Sequence, residues 1–503
     1  MPLGFLVFKA STAPADLIEH LFETMVWEAT VGSFLLIGGV LIGSGILGVT
    51  SAYLLARYRF PAHRLWEWVL LLPLALPAYV SAFVWLSLFD FSGDFSRLMR
   101  EVFPFWDWNL GIRSMGGLIV VLSLSLYPYV YLSCLEGFKR QSRSFLESSL
   151  SLGVSRGQIW RRVEMPMILP WIFGALLLVG METLADFGAA SVFNASVFTT
   201  LVYRSWFGLQ SLETASFLSV VHVLSLALFT MLFLYLSSKK KYWDQNMGQD
   251  RWPQKKLIGI QAWAASGFCA LVFFLAFFMP VLRLLFWALE DPGVMFEARV
   301  LERLYNSLSL GFWTVVVLLL FSALFVFAKV ILKSSKVSHI MQLSALGYGI
   351  PGTVLAVGWM VVANKMDVLS QAPVQLTLIA LILALSTRFY ALLQKPIDSS
   401  LQQLDPSIED SMKILGVPWW RRMSQSYLPL LKGALLTGAI FVFVDTIKEM
   451  PMTLMLRPYG WESLSLRVYQ FTSEGLWESA AAPSLWIVLS SILPVWWLKK
   501  RLV

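Results

Sequence analysis

About eleven apolar runs, each of roughly twenty residues, organise this chain; they centre on residues 31–56, 65–89, 114–136, 167–187, 215–237, 257–282, 306–332, 338–363, 373–393, 428–447 and 480–498. At about 1.5 Å per helical residue, such a run matches a hydrocarbon core about 30 Å thick. Lipid offers no hydrogen bonds to a backbone, so a spanning run must satisfy its own and is predicted to be helical. The expected fold is therefore an all-α membrane protein. Composition agrees, since only 14% of the 503 residues are charged and 57% are hydrophobic. A soluble domain would carry about 25% charged residues. The 22 Trp suit the membrane–water boundary, where indole rings concentrate.

Basic residues give the orientation. Alternate loops hold Arg57, Arg59 and Arg64, then Lys139, Arg140, Arg143, Arg156, Arg161 and Arg162, then Lys239, Lys240, Lys241, Arg251, Lys255 and Lys256. The series continues with Lys329, Lys333 and Lys336, with Arg388, Lys395, Lys413, Arg421 and Arg422, and ends at Lys499, Lys500 and Arg501. About 26 of the 39 basic residues fall on this face, which the positive-inside rule makes cytoplasmic together with the C-terminus. The net charge of +8 then needs no nucleic-acid partner. Residues 11–30, with Asp16, Glu19, Glu23 and Glu28, fall outside. Residues 3–8 are apolar but too short to cross, and read as the outer end of a truncated first helix. Eleven spans then stand where twelve are expected.

The two halves of the chain resemble each other. Residues 146–154 line up with 409–417, Pro166 with Pro429, Glu182 with Asp445, and Asp186 with Glu449 at one constant offset. Val202-Tyr203 matches Val468-Tyr469 after a small shift, and Leu76-Pro77-Ala78 resembles Ile350-Pro351-Gly352. Both copies carry the same orientation, which predicts parallel halves about a pseudo-twofold axis along the membrane normal. The expected division is a first half over 1–238, a polar cytoplasmic linker over 239–256, and a second half over 257–503.

Each half holds a long cytoplasmic loop, about 137–166 and 394–427. Each reads as a short amphipathic helix, a glycine, and a second helical stretch ending at proline. Gly153 and Gly416 permit a left-handed bend that other residues resist. The result is a compact knob, with Glu147 or Asp410 six positions before the bend. An ordinary solvated loop would explain one such pattern, but not two with the same spacings.

At these residues the chain resembles the Glu-Ala-Ala loop family of ABC importer permeases. Glu147-Ser148-Ser149…Gly153 and Asp410-Ser411-Met412…Gly416 stand in the motif positions, the second reaching Leu428-Pro429. Neither copy has both alanines, and the second has Asp for Glu. The resemblance implies two pseudo-symmetric halves of the type I importer kind in a bacterial inner membrane. It also implies that Glu147, Gly153, Asp410 and Gly416 dock on an ABC ATPase subunit, present in two copies, and that a periplasmic substrate-binding protein delivers the cargo. No Gly-x-x-x-x-Gly-Lys-Ser/Thr loop occurs, so ATP and Mg are expected on the partner, and no cofactor in this chain. The four histidines are scattered without metal-ligand spacing, and no nucleophile motif is present, so no catalytic role is expected. Cys134 and Cys269 read as two small buried thiols.

Within that class the resemblance narrows to the fused ferric-iron permeases. It rests on Leu72-Pro73-Leu74-Ala75-Leu76-Pro77, on 181–188, on Thr446-Ile447-Lys448-Glu449-Met450-Pro451, and on Leu456-Arg457-Pro458-Tyr459-Gly460. Fused thiamine permeases share the layout. A secondary transporter with two parallel halves would explain the repeat but not the paired knobs. Glu182 and Asp186 are four apart, as are Asp445 and Glu449, so each pair is expected on one helical face near the outer end of its helix. Carboxylates there are costly unless they face a wet pathway or a partner. With Tyr203 and Tyr469 they offer oxygen ligands that suit a hard cation. The alternative is that the acids brace loops, or that Lys448 pairs with Glu449.

Overall fold

In this computed structural model, residues 2–104, 111–141, 143–238, 254–331, 345–370, 377–402 and 411–502 are described. They are almost entirely helical. The one β pairing among them joins Tyr58–Arg59 in parallel with Lys255–Lys256.

Seven helices are long and apolar enough to cross a membrane: Ala15–Arg57, Met115–Lys139, Gly157–Ala185, Leu212–Tyr235, Ile260–Glu290, Ala298–Lys329 and Leu378–Gln402. Two further runs are bent pairs, His63–Ala75 with Ala78–Val102 at 93° and Trp419–Leu430 with Lys432–Lys448 at 69°. Seven to nine spans thus stand against about eleven expected. The run at 338–363 begins among residues outside the described set and continues as the helix Gly352–Ser370. The run at 480–498 lies in the helix Ala481–Leu502, whose described apolar part, Ala481–Ile492, is shorter than a span.

Proline causes the first bend. Leu72–Ala75 is a tight 3-10 turn, and Leu76 then leaves the helix at φ −96°, ψ 118°. A proline drives the residue before it out of the helical region, and Pro77 does so here before the next helix starts at Ala78. The second half repeats the device: a 3-10 turn over Ala345–Gly349, then Ile350-Pro351, then a helix from Gly352.

The chain forms two compact units. One comprises Ala15–Arg204 and Val221–Leu289. Its centre is the helix Trp27–Arg57 packed along Met115–Lys139. Small residues let the two backbones approach: a Cβ on Gly39 would lie 2.5 Å from Ile119, and one on Gly43 would lie 2.3 Å from Ser123. In lipid, where apolar burial gives no drive, such close packing is what holds helices together. Cys134 and Cys269 belong to this core as buried, unbridged thiols.

The other unit comprises Met1–Pro14, Ser205–Val220 and Glu290–Val503. Here Leu378–Gln402, Lys432–Lys448 and Ala298–Val326 pack together, and Pro2–Ala10 lies along Gly352–Ser370. Lys9 pairs with Glu213 at 2.6 Å.

Candidate functional site: two glycine-capped knobs and two broken helices

In the first knob, the helix Arg143–Ser151 ends at Gly153, whose φ is +74°. Gly153 N donates to Leu150 O at 2.9 Å, and Val154 N to Ser149 O at 3.1 Å. In the second, Gly416 has φ +65°, Gly416 N donates to Lys413 O at 3.0 Å, and Val417 N to Met412 O at 3.0 Å. Both are the same Schellman cap, in which a left-handed glycine lets two amides return to the last helical carbonyls. Neither glycine has an atom within 4 Å of where a Cβ would stand, so the backbone alone selects it. Leu152 and Leu415, just before the bends, are 81% and 77% exposed, as unpartnered tips. Glu147 is exposed and pairs with Arg143 at 2.6 Å. Asp410 lies outside the described residues.

A buried cluster fastens the first knob to its unit. Arg57 Nε lies 2.8 Å from Glu164 Oε2, with both side chains buried. The same guanidinium donates to Phe138 O at 3.1 Å and to the Gln141 side-chain oxygen, and Gln141 Nε2 donates to Glu164 O at 3.2 Å. Glu164 closes the π-helical turn Trp160–Glu164 that follows the bend. Sequence reasoning counted Arg57 only as a loop cation; the paired acid at the far end of the knob was the available signal.

The four acids do not sit as two pairs on helical faces. Gly157–Ala185 ends one residue before Asp186, and Lys432–Lys448 one residue before Glu449. Asp186 has φ −69°, ψ 121°, and Glu449 has φ −67°, ψ 119°, so the two chains leave their helices the same way. Asp186 N still donates to Thr183 O at 3.3 Å, and Glu449 N to Thr446 O at 3.2 Å. Each carboxylate then turns to the next helix. Asp186 Oδ1 accepts from Ala190 N at 3.0 Å; Glu449 Oε2 accepts from Met452 N at 3.0 Å and from Thr453 N at 3.3 Å. These acids satisfy amides that the helix starts would otherwise leave open. The stop was legible two positions on, where Gly188 and Pro451 begin the next helices.

The partners also differ from expectation. Glu449 is buried and bonded to Arg388 at 2.7 Å, while Lys448 lies 3.7 Å from Asp445. Arg388, grouped above with the cytoplasmic loops, stands inside the helix Leu378–Gln402. An arginine within an apolar span signals a buried partner, and Glu449 is that partner. Glu182 and Asp445 remain within their helices, half-buried. Tyr203 packs on Phe187 at 4.9 Å between ring centres, and Tyr469 is half-buried in the helix Leu464–Ser473. Among the described residues, no three His, Cys, Asp or Glu converge as a metal site.

Residues 44–242 match the family described as "Binding-protein-dependent transport system inner membrane component". The chain is 28% identical over 508 residues to the Fe(3+)-transport system permease protein FbpB 2 of Haemophilus influenzae, covering 99% of this chain and 95% of that protein. It is 23% identical over 467 residues to the putative ferric transport system permease protein FbpB 1 of the same organism, covering 88% and 72%. Similarity to the sulfate transport system permease protein CysT of Escherichia coli is 26% over 190 residues, covering 38% and 67%.

Proposed function

We propose that this chain, which is similar to the inner-membrane components of binding-protein-dependent transport systems, is the fused permease of an ATP-driven importer of ferric iron. The observation that carries the importer reading is the duplicated Schellman-capped knob at Gly153 and Gly416. Two equivalent exposed tips suit two copies of one ATPase, which hydrolyses ATP while this chain moves the cargo. A periplasmic binding protein delivers the cargo to the opposite face. The knobs, the 239–256 linker and the C-terminus then lie in the cytoplasm, and 1–238 and 257–503 act as the two halves.

Ferric iron is favoured because a ferric permease aligns along the whole chain, whereas the sulfate permease aligns along 38% of it. Carboxylate and phenol oxygens suit a hard cation. Glu182 and Asp445, with Tyr203 and Tyr469, are the candidates to meet it; Asp186 and Glu449 serve the pathway from the helix breaks.

The test is reconstitution in proteoliposomes with the ATPase and binding protein of the same genome. ATP-dependent uptake of radiolabelled ferric iron is expected. Uptake of labelled thiamine or sulfate instead would replace the substrate, and uptake driven by an ion gradient without ATP would replace the class.

A further inference from the structure

Each unit ties a short helix to its first long helix by the same set of bonds. In one, Phe198 N, at the start of the helix Phe198–Phe207, donates to Ser33 Oγ at 3.2 Å. In the other, Leu464 N, at the start of Leu464–Ser473, donates to Ser307 Oγ at 2.9 Å. Ser33 and Ser307 are related by the spacing that relates Pro77 to Pro351, and Phe198 and Leu464 by the spacing of Val202 and Val468. The next residue repeats as well. Thr199 Oγ1 donates to Asp186 O at 2.7 Å, and Ser465 Oγ donates to Glu449 O at 2.9 Å. All four hydroxyl-bearing residues are buried.

One step earlier the seam matches again, by different chemistry. Ser196 O lies against Gly32, where a Cβ would come within 2.2 Å, while Asn306 Nδ2 donates to Glu462 O at 3.0 Å. A helix start leaves amides open, and a buried open amide is costly. Serine from a neighbouring helix supplies the acceptor in both units. Random placement of buried hydroxyls does not produce the same two bonds twice. Behind the first set lies a small cavity of about 10 Å³, bordered by Ser33, Thr183, Phe198 and Thr199.

We propose that Ser33 with Thr199, and Ser307 with Ser465, are positioning residues of two equivalent clasps that hold the short helices to the acid-capped breaks during transport. The clasps fasten the segment that follows each acid-capped break, so they link the first long helix, the break and the short helix in each half. This rests on the importer reading above only for its link to ATP. The clasp itself is read without it.

The first measurement is maleimide labelling of Val202→Cys and Val468→Cys, both wholly buried positions, in solubilised protein. Adding Ser33→Ala and Ser307→Ala should raise the labelling rate about tenfold, while Ser33→Thr and Ser307→Thr, which keep an acceptor, should restore it. The second measurement is ferric iron taken up per ATP hydrolysed in proteoliposomes, expected to fall at least fivefold in the alanine pair. A merely structural role predicts fewer assembled complexes with an unchanged ratio, and that result overturns the proposal, as does unchanged labelling. If the alanine pair does not fold, Thr199→Val with Ser465→Ala removes the opposite bonds and must give the same two changes. A parental protein that labels as expected but shows no ATP-dependent uptake would refute the importer reading and leave the clasp standing.

Discussion

Arg388 Nη1 lies 2.7 Å from the Glu449 carboxylate, which is buried and also receives two amides of the following helix. The counterpart of Glu449 at the first break, Asp186, accepts from Ala190 N and is joined by no salt bridge among the described residues. The two halves therefore hold equivalent breaks with unequal charge. Gly352 makes room for the pair, since a Cβ there would lie 2.1 Å from Arg388 Nη1 and 2.7 Å from Glu449 Oε1.

Arg388→Met should destabilise the protein by about 3–5 kcal/mol, because it leaves a buried carboxylate unpaired. Arg388→Met with Glu449→Gln should recover much of that loss. Thermal unfolding in detergent, arranged as a double-mutant cycle, measures the coupling. Additive single effects would show that the contact carries no energy.

The four acids should separate into two kinds. Asp186→Ala and Glu449→Ala remove helix caps, at about 0.5–2 kcal/mol for the cap itself, with the unpaired Arg388 adding to the second. Asp186→Asn keeps an acceptor and should retain most of the stability. Glu182→Gln and Asp445→Asn should leave stability within about 1 kcal/mol while lowering iron uptake per assembled complex. Uptake that follows protein amount alone in all four would remove Glu182 and Asp445 from the pathway.

How far the sequence could be read follows from where each feature gets its cause. The seven continuous spans rest on local apolarity over twenty or more residues, and they stand where the runs stand. The knob bends were legible because glycine enters φ near +70° without the strain that most side chains meet there, so Gly153 and Gly416 announce them. The helix ends at Ala185 and Lys448 depend on the carboxylate turning to cap the next helix, and an i, i+4 count cannot see that. Ser33 and Ser307 were invisible for a related reason: single serines in apolar runs, whose partners lie more than a hundred residues away. Arg57–Glu164 and Arg388–Glu449 each gave half a signal, a charge beside or within a span, but the pairing is tertiary.

Sidedness has a direct test. Ser148 and Ser411 are exposed beside the knobs, and Tyr459 is 98% exposed in the loop after the second break. In intact cells, an impermeant thiol reagent should label Tyr459→Cys and spare Ser148→Cys and Ser411→Cys until the membrane is opened. Labelling of Ser148→Cys from outside would reverse the orientation and remove the knobs from any cytoplasmic ATPase.

The knob glycines give the most discriminating test of coupling. Open space surrounds both Cβ positions, so a substitution there meets no steric clash and pays only for its backbone conformation. Valine in the left-handed region costs about 1–3 kcal/mol, whereas asparagine enters it readily. Gly153→Asn with Gly416→Asn should therefore preserve both knobs and near-parental uptake. Gly153→Val with Gly416→Val should displace the exposed tips Leu152 and Leu415 and abolish stimulated ATP hydrolysis, with membrane insertion and the Arg57–Glu164 cluster intact. The contrast matters because the two double variants differ little in bulk at an open site but strongly in backbone preference. Equal uptake by both would mean that the bends position nothing that an ATPase needs.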